Sequence, residues 1–354
     1  MFVDFSKAFD TIPHVKLINV LESIGIRGNC LNLIADYLSN RKFRVKVDNN
    51  YSKEKTVKYG VPQGSKLGPL LFLLFSNNLI KQLKNDNVFA YADDTAIVVS
   101  HKNIITAVEL MQHKLDVVSM WCHDNGLIIN ANKTKVMHIR PTHLGNANNV
   151  KIVYRNFCTR LPSVSDCDIE QVKTYKYLGV IVDENLKWHK HIDNIQNKIR
   201  SASFALRHLR YCSTPEVLKV VYHSLVESHL RFGITAWGTS THCSRLQRSQ
   251  DKILKMLENK DEYLNINSLF KLITLTEFFN LQNFRQPITH QHGTRWSEEG
   301  RFKVPPWKNW YGISTLECQI PRICNELPVD VLRGNRGHTW KKKLKDHLLQ
   351  AQKT

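Results

Sequence analysis

Val88-Phe89-Ala90-Tyr91-Ala92-Asp93-Asp94-Thr95-Ala96-Ile97-Val98-Val99 is the stretch on which the fold turns. Two apolar runs, Val88 to Ala92 and Thr95 to Val99, flank an Asp-Asp pair, which predicts a hairpin with two carboxylates at its tip. Turns are rich in Asp because its side chain bonds the local backbone, so the pair alone is weak evidence of chemistry. Its setting adds to it. Two like charges on a tip fixed by apolar strands repel each other, and a hard divalent cation that prefers carboxylate oxygens would relieve them. Metal-assisted phosphoryl transfer is a chemistry that needs carboxylates converged in this way.

Upstream of the hairpin, the chain opens inside an apparent strand, Phe2-Val3-Asp4-Phe5, with nothing before it to pair with, so sequence missing at this end is expected. Leu17, Ile18, Leu21 and Ile24 recur at helical spacing until Gly25, and a second helix is predicted from about Asn29 to Leu38. Phe43, Val45 and Val47 alternate with Arg44 and Lys46, a strand with a polar face, before the turn chemistry of Asp48-Asn49-Asn50. The breaker-rich loop Gly60-Val61-Pro62-Gln63-Gly64-Ser65 leads into a buried helix from about Leu67 to Leu83. Downstream, a helix runs from about Ile104 to His123 and a polar linker from Pro141 to Asn149; Tyr175 to Val182 reads as strand. The pattern is helical and basic from about Ile192 to Leu257, and a Lys-rich helix is expected from Trp340 to Gln352.

With 354 residues the chain can hold two or three domains. Its 50 Lys and Arg exceed 31 Asp and Glu, a net charge of +19 whose long-range field favours polyanions, nucleic acid above all. The eight cysteines form no CxxC and no zinc spacing, which suits a reducing compartment. His189 and His191 in WHKHI lack a neighbouring ligand cluster and read as surface residues. The longest apolar run, Leu67 to Phe75, is broken by Gly68 and Pro69 and is too short for a bilayer, and no secretory pattern stands at the start, so an intracellular location without membrane contact is expected.

Five segments occur in order: VDFSKAFDTIPH, GVPQGSKLGPLLF, YADD, GLIINANKTKVM and YLGV. Together they closely resemble the palm motifs of non-LTR retrotransposon reverse transcriptases, with the jockey-like elements nearest in wording. The likeness is specific from residue 2 to about residue 183 and more diffuse beyond, where Gln319-Ile320-Pro321 precedes Asn325-Glu326-Leu327-Pro328. Asn77-Asn78 stands where such elements commonly have Asn-Asp.

The resemblance implies roles for particular residues. Asp4 and Asp93 would be the principal metal-binding carboxylates, assisted by Asp94, and would hold two Mg²⁺ ions, with Mn²⁺ as an alternative. Asp10 would be structural. Phe9 would be the bulky side chain that clashes with a ribose 2′-hydroxyl, although an aromatic there reads equally well as core. Gln63 and Gly64 would shape the nucleotide pocket, where glycine lets backbone approach a base pair. Lys133 would stand near the triphosphate, with Lys135 as the alternative contact. Tyr177, Leu178 and Gly179 would grip the primer end. Between Lys198 and Lys260, eleven Lys or Arg face four acids, which suits backbone tracking of a duplex through residues such as Arg245 and Arg248.

The fold class implied is α+β: a right-hand polymerase palm of antiparallel strands backed by helices, followed by a helical thumb. The expected parts are a palm over 1–140 (with fingers missing upstream), a linker and primer-grip hairpin over 141–190, a basic thumb over 191–260 and a basic C-terminal region over 261–354. The activity implied is RNA-directed DNA synthesis in the nucleus and cytoplasm, with an RNA template, a DNA primer, the RNA–DNA duplex and deoxynucleoside triphosphates as partners. The alternative is a catalytically inactive transposon-derived remnant that binds nucleic acid. The chain alone, without fingers cations for the triphosphate, is expected not to polymerise.

Overall fold

The computed structural model describes residues 1–83, 87–142, 149–155, 166–257, 260–280, 302–307, 309–332 and 338–353. The chain divides into two compact units, Met1–Asn185 and Leu186–Thr354.

The first unit is built on a five-stranded sheet, in spatial order Glu170–Gln171, Lys135–Val136, Phe2–Val3, Asp94–Ile97 and Val88–Tyr91. All neighbours pair antiparallel except the outer Glu170–Gln171 strand, which runs parallel to Lys135–Val136. Helices Leu67–Gln82 and Ile104–Asn125 bury Leu71, Phe72, Phe75, Leu115, Val118 and Trp121 in one core with Val3, Phe5 and Ile97. Phe75 meets Trp121 edge to ring at 5.9 Å. The longer helix starts on the Asn103 side chain, which accepts from the Ile105 amide, and stops at left-handed Gly126.

The helix expected at Leu67 to Leu83 is present but only half buried, since Leu67, Leu70 and Leu73 face outward. The expected strand over Phe43 to Val47 is two short pairs, Lys42–Phe43 with Lys55–Thr56 and Lys46–Val47 with Asn50–Tyr51. Residues 39–56 are exposed throughout, so no core selects a face there and the alternation has nothing to pack against. Arg44 instead lies over the Tyr51 ring at 4.3 Å.

The second unit is helical among its described residues. Helices His189–Leu209, Pro215–Tyr222, Cys243–Leu254, Ile266–Asn280, Leu316–Glu326 and His338–Ala351 share one core around Trp237, Tyr222 and Leu275. Buried Gln250 donates to Tyr222 Oη and to the Leu264 carbonyl, both at 2.8 Å. His191 is a correction to the surface reading: it is 2% exposed, on the same stripe as Ile192, Ile195 and Ile199, with its ring 5.8 Å from that of Trp237. Burial, aided by the Lys198 charge, pushes its pKa down to about 4. The described cysteines are all free thiols. The polar linker expected at 141–149 lies largely outside the described residues.

Candidate active site

Asp4 leaves the centre of the sheet. The Phe2–Val3 strand pairs Phe2 with Ala96 and Val3 with Thr95, so the next step of the register sets Asp4 opposite Asp94. Its backbone is fixed from the other side too. The Asp4 amide donates to Thr134 Oγ1 at 3.3 Å, and its carbonyl accepts from the Asn130 amide at 2.8 Å.

Asp93 sits in the tip of the hairpin. Tyr91 pairs with Asp94, leaving Ala92 and Asp93 as a two-residue loop, with Ala92 in the left-handed region at φ 53°. Asp94 is therefore the first residue of a strand and not part of the tip, as the Asp-Asp reading had it. Its carboxyl pKa is raised by partial desolvation and then by the negative charges of Asp93 and Asp4.

A cleft of about 490 Å³ has Asp4, Phe9, Asp10, Gln63, Asp93 and Lys133 in its lining. These residues come from four separate segments, so the topology and not local spacing brings them together. Phe9 serves packing as well as lining, because its ring stacks on Phe72 at 4.6 Å. Gln63 reaches the cleft through its side-chain amide, which donates to Asp10 Oδ1 at 2.9 Å. The loop before it is strapped down: the Gly60 amide donates to the Ile12 carbonyl at 2.8 Å and the Val61 amide to the Phe9 carbonyl at 2.7 Å. A Cβ on Gly60 would stand 2.7 Å from Asp10 Cα, so this glycine is needed for a close approach within the chain itself. Gly64, at φ 78°, has open space where its Cβ would point.

Of the two lysines weighed from sequence, Lys133 lines the cleft, whereas Lys135 is held by Glu170 Oε2 and the Asn132 carbonyl. Two cleft residues escaped the residue-type reading, Lys7 and Asn130. Lys7 looks like an ordinary surface lysine in sequence, and only its left-handed backbone and its neighbours distinguish it.

Tyr177 is placed by a second hairpin, Thr174–Tyr177 with Val180–Asp183. Leu178 and Gly179 form its loop at φ 45° and 85°. The hairpin docks on the sheet: Tyr175 stacks on Phe2 at 4.1 Å, and the Tyr177 hydroxyl donates to the Phe89 carbonyl at 3.1 Å. Desolvation and the nearby Asp94 charge raise the pKa of both tyrosines.

In the second unit, Arg245 is engaged, donating to Asp193 Oδ1 at 2.7 Å and to Gln196 Oε1 at 3.1 Å. Arg248 is exposed, with a 3.4 Å bond to the Ser244 carbonyl one turn back. Among the described residues no group of three or more His, Cys, Asp or Glu is placed so that it could hold a metal ion by itself, and no helix is long and apolar enough to cross a membrane.

The profile described as reverse transcriptase (RNA-dependent DNA polymerase) matches residues 1–182. The chain belongs to the reverse transcriptase family. Its sheet with two covering helices is accordingly the mixed α/β arrangement of a polymerase palm. The chain is 27% identical over 300 residues to the RNA-directed DNA polymerase from mobile element jockey of Drosophila melanogaster, a match over 80% of this chain and 31% of that protein. It is 24% identical over 291 residues to the probable RNA-directed DNA polymerase from transposon X-element, covering 79% and 30%. The corresponding protein from transposon BS is 26% identical over 318 residues, covering 85% and 32%. Both come from the same fly. The chain thus spans about a third of the length of these relatives.

Proposed function

We propose that this chain is the polymerising part of a non-LTR retrotransposon enzyme, adding deoxynucleotides to a primer 3′-hydroxyl on an RNA template. The observation that carries the reading is the convergence of Asp4, Phe9, Gln63, Asp93 and Lys133 on one cleft. In this reading Asp4 and Asp93 hold the divalent cations, Mg²⁺ with Mn²⁺ as a substitute, and Asp94 lends further negative charge. The donor set suits Mg²⁺, which is commonly bound by one or two carboxylates, with water and substrate phosphates completing its shell; a closed protein cage is not required. When bound, two such ions lower the pKa of the attacking hydroxyl and offset the triphosphate charge.

The protein's own groups then orient the reactants. Asp10 fixes the Gln63 amide, which presents a polar edge to the nucleotide beside open Gly64. The Phe9 ring, held by Phe72, occupies the space a 2′-hydroxyl would need. Lys133 faces the leaving pyrophosphate with an ammonium that stabilises its charge. Tyr177, Leu178 and Gly179, fixed against the sheet through Phe2 and Phe89, hold the primer end. The first unit acts as the palm, the helical second unit as the thumb with its C-terminal region, and Arg248 supplies duplex backbone contact. Its place of action is the nucleus and cytoplasm.

The test is primer extension on an RNA template, by the chain alone and fused to the segment that precedes the corresponding residues in the jockey relative. Asp93→Asn should lower Mg²⁺-dependent extension at least about a thousandfold, and Asp94→Asn less. Retention of more than about a tenth of the activity by Asp93→Asn would remove Asp93 from the metal site.

A further inference from the structure

We infer that Lys7 is a second cation for the triphosphate tail, supplied by the turn that follows Asp4. The inference rests on the polymerase reading of the cleft and adds to it a residue that the motif roles do not assign.

The cleft wall carries Asp4, Asp10 and Asp93, and just two basic side chains among the residues lining it, Lys7 and Lys133. Neither lysine forms an ion pair among the described residues, in contrast to Lys135, which is tied to Glu170. Asp4 and Asp10 each stand three residues from Lys7 along the chain, and Asp10 is bonded by Gln63. The Lys7 backbone is anchored: its carbonyl accepts from the Asp10 amide at 2.8 Å and from Thr11 Oγ1 at 3.2 Å. Its side chain is exposed. A flexible ammonium thus stands on a fixed base in the lining of the cleft.

The backbone adds a second argument. Lys7 has φ 48° and ψ 47°, the left-handed region, which costs a side chain with a Cβ about 1 kcal/mol that glycine would not incur. Strain of this kind is kept where the surroundings impose it and is a pointer to a functional position. A lysine here gives up the conformational ease of glycine or asparagine and gains reach and charge. Asp4 and Asp93 draw metal-bound phosphate oxygens to one part of the wall, and Lys7 and Lys133 offer ammoniums to the remaining oxygens. A nucleoside triphosphate has enough negative charge to engage both sets, and a monophosphate does not. Charge-assisted contacts of this type are about twice as strong as neutral ones.

The experiment is equilibrium binding of dATP and dAMP, each with Mg²⁺, to the full chain and to Lys7→Gly and Lys7→Arg. Glycine removes the charge while suiting the backbone, so folding is preserved and melting should be unchanged or higher. The expected result is dATP binding weakened about tenfold in Lys7→Gly, dAMP binding unchanged, and dATP binding in Lys7→Arg within about twofold of the parent. A Lys7→Gly protein that binds dATP like the parent, or that loses dATP and dAMP equally, would overturn the inference. A parent chain that binds neither dATP nor dAMP with Mg²⁺ would overturn the reading of the cleft itself.

Discussion

The cleft of the first unit and the basic helices of the second treat charge differently. In the first, Asp4, Asp93, Lys7 and Lys133 line one cleft, and desolvation, followed by the charges of Asp93 and Asp4, raises the pKa of the adjacent Asp94. In the second, three of the eleven basic side chains that gave the sequence its cationic stretch are already paired. Arg245 holds Asp193, Lys219 holds Glu262 and Arg231 holds Glu227. Such surface pairs contribute little stability, but each withdraws a cation from the count available to a polyanion. A surplus of Lys and Arg therefore overstates a binding surface, whereas a few charges lining one cleft mark one.

The contrast predicts where titration should be felt most. His191 is a buried histidine of the second unit, neutral in the fold because burial pushes its pKa down to about 4 against an ordinary 6.5. The unfolded chain binds this proton below about pH 6.5 and the folded one does not until about pH 4. Stability contributed by neutral burial is thus full above pH 6.5 and is lost as pH falls towards 4, with an upper limit of about 3 kcal/mol. Denaturant unfolding followed by the second unit's tryptophans should show that fall, and His191→Phe should flatten it. A stability profile indifferent to pH between 6.5 and 4 in the parent would contradict the burial of a neutral ring.

A smaller effect separates the two arginines. Arg248→Glu should flatten the salt dependence of RNA–DNA duplex binding, by more than one phosphate contact since it replaces a cation with an anion. Arg245→Glu should change that slope less and act first on folding, because it sets a new carboxylate against Asp193. The slope of log Kd against log salt for the three proteins checks this. Equal flattening by both substitutions would mean that the Asp193 pair opens on binding and that the paired cations count after all.

The palm was legible in the sequence because its signals are local. The apolar runs around Asp93-Asp94 and the helix stop at Gly126 each follow from a few adjacent residues, whereas Tyr175 to Val182, read as one strand, folds as two strands about a Leu178-Gly179 turn. Placement of Asp94 was less legible, since hairpin register decides which carboxylate lies in the loop and which starts the strand. The need for glycine at position 60 was equally hidden: what comes close to it is the Phe9–Asp10 backbone, a contact about fifty residues away that no spacing rule encodes. His191 was misjudged because its polar neighbours, Lys190 and Asp193, hide that it falls on the Ile192–Ile195–Ile199 stripe. Lys7 was invisible because a left-handed lysine has no signature in composition. The arm over residues 39–56 shows the limit from the other side, a clear alternating pattern with no core to give it meaning.

The central claim is that Asp4 and Asp93, 89 positions apart in sequence, form one metal site. The most direct measurement is a Mn²⁺ titration in the presence of dATP, followed by the loss of the free-ion paramagnetic resonance signal, for the parent, Asp4→Asn, Asp93→Asn and the double variant. The account predicts that each single substitution weakens binding at least about tenfold and that the double variant loses much less than the sum of the two, because either change breaks the same site. Binding that survives Asp4→Asn unchanged, or losses that simply add, would contradict it.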